Sequence, residues 1–297
     1  MSSTAEMVGI LDGPCVTLEL DSRPETLTLV RGLLGGVGEL LAVDPELLDD
    51  LKTAVSEACN NVVLHAYPEG VAGTLSVRLY ALEAALAVVV CDDGRGIPEE
   101  ILSDGHSQGV GIPVIRALTE LSDFRERSGG GTQVTMRFAG ERDGRRLFDP
   151  PTRALPDDGW SLQLNGDAVA SVSPVALLGT VLGRLARALA ATARFSLDRF
   201  SDVYLVTDAI AAHAESSARD GRVAFALTAG ARRLEVAVGP LRAGSGERIR
   251  QEADADARRS ALGMLSDELQ VEALPDSGEL LRVVMIDHRR WLTESGP

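Results

Sequence analysis

The chain has 297 residues, 45% of them hydrophobic but only 4% aromatic, with a net charge of −15. That length predicts about two domains with aliphatic cores, and the charge argues against a nucleic-acid backbone as partner, because it would repel phosphates. Lysine occurs once, at Lys52, which excludes a GxxxxGK phosphate loop and a kinase-type strand lysine.

The acidity is concentrated in residues 1–140, whose 21 acidic and 9 basic side chains leave a net −12. Such a face suits a basic partner surface, although a solvated acidic face with no partner looks the same. Cys15, Cys59 and Cys91 lie in apolar runs, where a thiol behaves as a small hydrophobe. Their odd number fits a reducing compartment better than a disulfide framework or a zinc site. The start of the chain has no basic-then-apolar leader, and no apolar run reaches 18 residues. The expectation is a cytoplasmic protein that does not span a membrane.

In chain order, Cys15–Leu20 alternates like a half-buried strand, and Pro24 opens a helical run to about Leu41. Asp44-Pro45 is an N-cap and first-turn pair. The helix it opens, Leu51 to Tyr67, carries Leu51, Ala54, Val55, Ala58, Val62 and Ala66 at helical period. Glu57, Asn61 and His65 follow at four-residue steps along one edge. An Asn carbonyl is a hard oxygen ligand suited to Mg²⁺, and a Glu one turn away is free to take a proton. A surface helix with a polar margin shows the same pattern, so this segment alone leaves both readings open.

Two strands follow, Thr74–Leu82 and Ala85–Cys91, joined tightly as an antiparallel hairpin. Asp92-Asp93-Gly94-Arg95-Gly96 comes directly after. An Asp at a strand end can accept from the amino group of a base, and the glycines admit close backbone approach. Gly105, Gly109 and Gly111 precede a helix near Ile112, a lead-in able to bind phosphate through free amides. Strands near Phe124–Arg127 and Gln133–Phe138 flank Gly129-Gly130-Gly131. Each glycine group alone is equally an ordinary tight turn.

Together, ExxxN on a helix, then DxGxG, GxxxGxG and GGGT, with strands between, resemble the GHKL ATPase family over about residues 10–140. Within it the chain is most similar to the anti-sigma-factor serine kinases, through SEACNNVVLHAYP and the short interval between Gly96 and Gly109. The resemblance implies ATP and Mg²⁺ as cofactors, with Asn61 as the metal ligand and Asp92 as adenine reader. It implies Gly94 and Gly96 shaping the pocket, Gly109 and Gly111 at the phosphates, and Thr132 closing the base side. Glu57 would be the general base toward a serine hydroxyl. His65 would be structural, and Arg95 and Arg116 surface residues rather than phosphate ligands. The implied partners are a sigma factor and an anti-anti-sigma protein of the STAS fold. A non-catalytic ATP-binding module and an ATPase without protein substrate remain as alternatives.

Residues 141–158 read as a linker, rich in Arg, Asp, Pro and Gly. Residues 159–297 then repeat the pattern weakly. Asp208 and Ala212 stand opposite Glu57 and Asn61, Pro240 opposite Asp92, and Val283-Val284-Met285 opposite Val134-Thr135-Met136. The expected fold class is α/β (α+β), two tandem two-layer sandwiches with a mostly antiparallel mixed sheet covered by helices on one face. The first copy is the competent one; the degenerate second copy either docks on it as an intramolecular pseudo-dimer that binds no nucleotide or stands as an independent domain that merely inherited the fold.

Overall fold

The computed structural model describes residues 13–71, 73–96, 111–149, 162–255, 260–275 and 278–288. Strand β1 (Val16–Asp21) buries Val16, Leu18 and Leu20 on one face, as its alternation predicts. Helix α1 (Thr26–Leu40) starts two residues after Pro24 and buries Leu29, Val30, Leu33, Leu34 and Val37. Helix α2 (Pro45–Asn61) is capped by Asp44, whose carboxylate accepts from the Glu46 amide at 3.1 Å. It continues without a break into one π-helical turn, Val62–Ala66.

The hairpin β2 (Thr74–Ala81) and β3 (Ala85–Asp92) is followed by α3 (Gly111–Leu118), β4 (Leu121–Glu126) and β5 (Thr132–Ala139). A minor hairpin, β6 (Glu141–Arg142) with β7 (Arg145–Arg146), comes next. It opens the expected linker, yet residues 141–149 pack on the first half. Leu147 and Phe148 are buried in the core. The Asp44 amide donates to the Leu147 carbonyl at 2.7 Å, and the Asp149 amide to that of Leu41 at 2.7 Å.

The second half contributes β8 (Ala168–Val172), α4 (Leu178–Thr192), α5 (Leu197–Ser217), β9 (Val223–Gly230) and β10 (Arg233–Arg242). Helices α6 (Ser245–Ala255) and α7 (Ala261–Leu265) and strands β11 (Glu268–Ala273) and β12 (Gly278–Ile286) complete it. Among the described residues its elements follow the order of the first half, with α6 in a stretch whose first-half counterpart lies outside the described residues. Residues Val175–Thr192 are long and apolar enough to cross a membrane, but half of them are buried inside the protein.

All ten main strands form one sheet, in the order β11-β12-β10-β9-β8-β1-β2-β3-β5-β4. Every pairing is antiparallel among the described residues, which corrects the expected mixed sheet. The physical reason is that each sheet neighbour is reached through a hairpin or an antiparallel return, with no right-handed parallel crossover. The halves join where β1 pairs with β8. Val16 faces Val172, Leu20 faces Ala168, and Leu18 faces Ala170 between them.

That register is self-complementary in the manner of a two-fold dimer interface. Each strand removes the other's open edge, and Leu18 is fully buried there, a burial that stabilises by about 1.5–3 kcal/mol. On the helical layer α1 meets α4. Gly36 leaves room for Thr180 and Arg184, and Arg184 pairs with Glu39. One hydrophobic cluster runs from Cys15 to Met285.

Candidate nucleotide site

The first-half site lies where α2, the end of β3 and the start of α3 converge. Gly111, first residue of α3, sits against α2 so closely that a Cβ there would be 3.1 Å from Glu57 Oε2 and 3.3 Å from Asn61 Oδ1. The four-residue step therefore does bring carboxylate and carboxamide together, and it points them at the N-terminus of a helix. Both side chains are half-buried. Free amides at such an N-terminus favour anions, and an amide oxygen beside them suits a hard cation.

Asp92 ends β3 and is 3% exposed. Its Oδ1 accepts from the Gly94 amide at 2.8 Å. Thr132, also buried, opens β5 next to Gln133, which pairs with Cys91, so the register carries Thr132 across from Asp92. The glycine turn before it is pressed onto that strand end. Gly131 has φ +84°, and a Cβ on it would lie 2.1 Å from the Asp92 carbonyl oxygen, so no other residue fits.

The π-helical turn ties these parts together. Because the helix ends there, the carbonyls of His65 and Ala66 have no partner in the helix ladder, and Arg95 takes both. Its Nε donates to His65 at 2.6 Å and its amide to Ala66 at 3.0 Å. A wider turn at a functional site is where such helices are usually found. Gly94 packs on the same Ala66 carbonyl, and Gly96 turns the chain at φ +80°. Arg95 thus has a structural job, as does Arg116, whose guanidinium lies 5.8 Å from the Phe124 ring centroid. The His65 side chain is exposed. Gly105 and Gly109 lie outside the described residues.

Sequence reasoning missed three polar neighbours: Tyr67, Thr74 and Arg127. Only Tyr67 carried a signal, as the last aromatic of the helix motif. The others come from a strand start and a turn, where local pattern shows nothing. Cys59, one turn from the site, is fully buried, and burial pushes its thiol up to about 12, as it does for Cys15. Neither supplies a thiolate near neutral pH.

A family model described as the histidine kinase-like ATPase domain matches residues 20–138. The serine-protein kinase RsbW of Listeria innocua is 38% identical over 134 residues, covering 41% of this chain and 84% of its own length. That of a Bacillus licheniformis strain is 36% identical over 141 residues, covering 43% of this chain and 88% of its own. The chain belongs to the histidine kinase-like, or GHKL, ATPase family. Within it the chain groups with the RsbW-type kinases. A solved structure of the RsbU and RsbW domains of a Mycobacterium tuberculosis protein is 22% identical, with a TM-score of 0.34. It covers 45% of this chain and 33% of that one.

The corresponding place in the second half of this GHKL protein is built differently. Matching backbone bonds fix the correspondence: the Leu48 amide bonds Asp44 as the Phe200 amide bonds Ser196, and Ala42 and Arg194 both take positive φ. Asn61 therefore corresponds to His213 and Glu57 to Ala209. The expected partners, Asp208 and Ala212, are one residue out of step, because the carboxylate of Asp208 mimics Glu57 in sequence while the buried stripe sets the register. Likewise Val236 faces Val283 as Val88 faces Met136, so Val283 corresponds to Met136 rather than Val134.

The sheet register does put Pro240 at the Asp92 position. Helix α6 then closes the place with buried Ile249 and Ala253. Glu279, at the Thr132 position, accepts from the Gly244 and Gly246 amides at 2.7 Å each. His213 Nε2 lies 2.9 Å from Ser217 Oγ, and burial lowers the His213 pKa.

Proposed function

We propose that this chain is an ATP-dependent protein-serine kinase of the anti-sigma type, which binds a sigma factor and phosphorylates a serine on a STAS-fold anti-anti-sigma protein. The observation that carries the reading is the convergence of Glu57 and Asn61 on the glycine that begins α3, with buried Asp92 and Thr132 at the other end of the same site. The serine-protein kinases similar to the first half supply the class of substrate.

Mg-ATP fits these residues by its chemistry. The close approach at Gly111 keeps a helix N-terminus open to phosphate, Asn61 offers the hard oxygen for Mg²⁺, and Asp92 offers an acceptor for the adenine amino group. Gly94 and Gly96 complete the described backbone of the pocket, and the role of Gly109 at the phosphates is carried by the family resemblance alone. When bound, the nucleotide supplies the phosphoryl group, whose bond to the β,γ-bridging oxygen breaks as a serine oxygen takes it, leaving Mg-ADP. Glu57 takes the proton from that serine hydroxyl. Catalysis of this kind is positioning and charge stabilisation, so backbone amides and Asn61 serve without a lysine.

Residues 159–297 act as a degenerate GHKL-like copy and residues 1–140 as the working domain. The halves share one sheet, and the second has a proline, an alanine and a histidine in place of adenine acceptor, base and metal ligand. The second half thus stands as an internal pseudo-partner.

The test is transfer of labelled phosphate from ATP to the STAS proteins of the source genome. The native chain should label one of them on serine. Glu57→Gln should still bind ATP and lose transfer by about 100-fold or more. Transfer by the mutant at the native rate would remove Glu57 as the base. Tight ATP binding with no labelled partner would leave a binding module.

A further inference from the structure

Asp92 stands where strand pairing runs out. Its partner on β2 is Leu75, and the ladder goes no further. What fixes the chain there comes from three other elements. The Tyr67 hydroxyl, just past the π-helical turn, accepts from the Asp93 amide at 2.9 Å and the Thr74 amide at 3.1 Å. It donates to the Thr74 carbonyl at 2.7 Å, which uses its full capacity. Thr74 Oγ1 donates to Asp93 Oδ2 at 2.7 Å. Arg127, one residue beyond β4, pairs with the other Asp93 oxygen and donates to the Asp92 carbonyl at 2.8 Å.

The Asp92 carbonyl and the Asp93 amide are the two ends of one peptide group. Arg127 holds its oxygen and Tyr67 its N–H, so the plane cannot rotate without breaking a bond at one end. The Asp92 side chain leaves the backbone at that plane, and its Oδ1 is already committed to the Gly94 amide. The bonds to Thr74 and Arg127 hold Asp93 ionised, its pKa lowered by the Thr74 hydroxyl and by Arg127. Asp93 and Thr74 are exposed, and Tyr67 and Arg127 are half-buried, so the group belongs to the rim of the site and not to the core.

We propose that Tyr67, Thr74 and Arg127, acting through Asp93, are positioning residues that aim the Asp92 carboxylate and thereby set the preference for a 6-amino over a 6-oxo purine. The inference rests on Asp92 being the adenine acceptor. A carboxylate held in one direction accepts from the 6-amino group of adenine and repels the 6-oxygen of hypoxanthine. Once the peptide plane is loosened, that discrimination falls, while the phosphate contacts at α3 are untouched.

The experiment is calorimetric titration of the full chain with Mg-ATP and Mg-ITP, in the native protein and in Tyr67→Phe and Arg127→Met. Tyr67→Phe keeps the ring that packs on Gly73, and Arg127→Met acts from a different element, so failure of one variant to fold leaves the other. The native chain should prefer ATP. Each variant should lower the ATP-to-ITP affinity ratio by about three- to tenfold, the worth of a hydrogen bond, with ITP affinity within about twofold of native. An unchanged ratio, with or without equal weakening of both nucleotides, overturns the proposal. A native chain that binds ATP and ITP alike instead overturns the adenine role of Asp92, and the positioning role falls with it.

Discussion

Asn61 is the only side chain from the first motif that brings a hard amide oxygen to the mouth of α3, with Oδ1 3.3 Å from where a Gly111 Cβ would be. Its loss should therefore fall on the metal-bound nucleotide and not on the fold, since the side chain is half-buried and outside the core cluster. Asn61→Ala is expected to weaken Mg-ATP binding by tenfold or more, at about the worth of a charge-assisted contact, with an unchanged thermal midpoint. Calorimetry in Mg²⁺ and a melting curve check both halves of that statement. Unchanged affinity would remove Asn61 from the site.

At the scale of elements, the hairpin β6–β7 and the two residues after it serve the central helix. Arg145, itself exposed, pairs with the largely covered cap residue Asp44 at 3.2 Å, and Arg142 pairs with Glu46 on the surface at 3.1 Å. An exposed pair such as Arg142–Glu46 contributes about 0–1 kcal/mol. Phe148 contributes more, because its ring is 2% exposed and lodged against Gly140, where a Cβ would lie 2.4 Å from it. Phe148→Ala is expected to destabilise the chain by about 3–5 kcal/mol, read as a shift in the midpoint of denaturant unfolding. A change under 1 kcal/mol, on the order of a surface substitution, would mean that residues 141–149 do not belong to the first packed unit.

For the whole molecule, the shared sheet makes the two halves one body. Strand β1 has no free edge to offer another chain, because β8 already covers it. The second-half place is closed by α6 and by the Glu279 carboxylate on the loop amides. The full chain is therefore expected to bind one ATP per monomer. Light scattering gives the mass and titration the stoichiometry, and two nucleotides per chain would contradict the sealed second site.

The local features were legible from residues 13–149 because their signals are local. Helical period placed Glu57 and Asn61 on one edge, Asp44-Pro45 marked the cap, alternation marked β1, and a tight join between two strand-like runs marked β2 and β3. The motif order gave the family, since glycines and carboxylates at set intervals carry the chemistry whatever surrounds them. What sequence could not decide lies in contacts between distant segments. That β1 pairs with β8 depends on two edges meeting across some 150 residues. The peptide plane at Asp92 depends on Tyr67 and Arg127, which are neighbours only once the sheet has formed. The one-residue slip at His213 has the same origin: similar side chains suggested a match, but the buried face of α5 set the register. Sequence determined the elements and the candidate chemistry, because periodicity and backbone propensity act within a few residues. The tertiary structure alone decided that two half-sheets close each other's edges, because that choice rests on complementarity between surfaces that neither segment contains by itself.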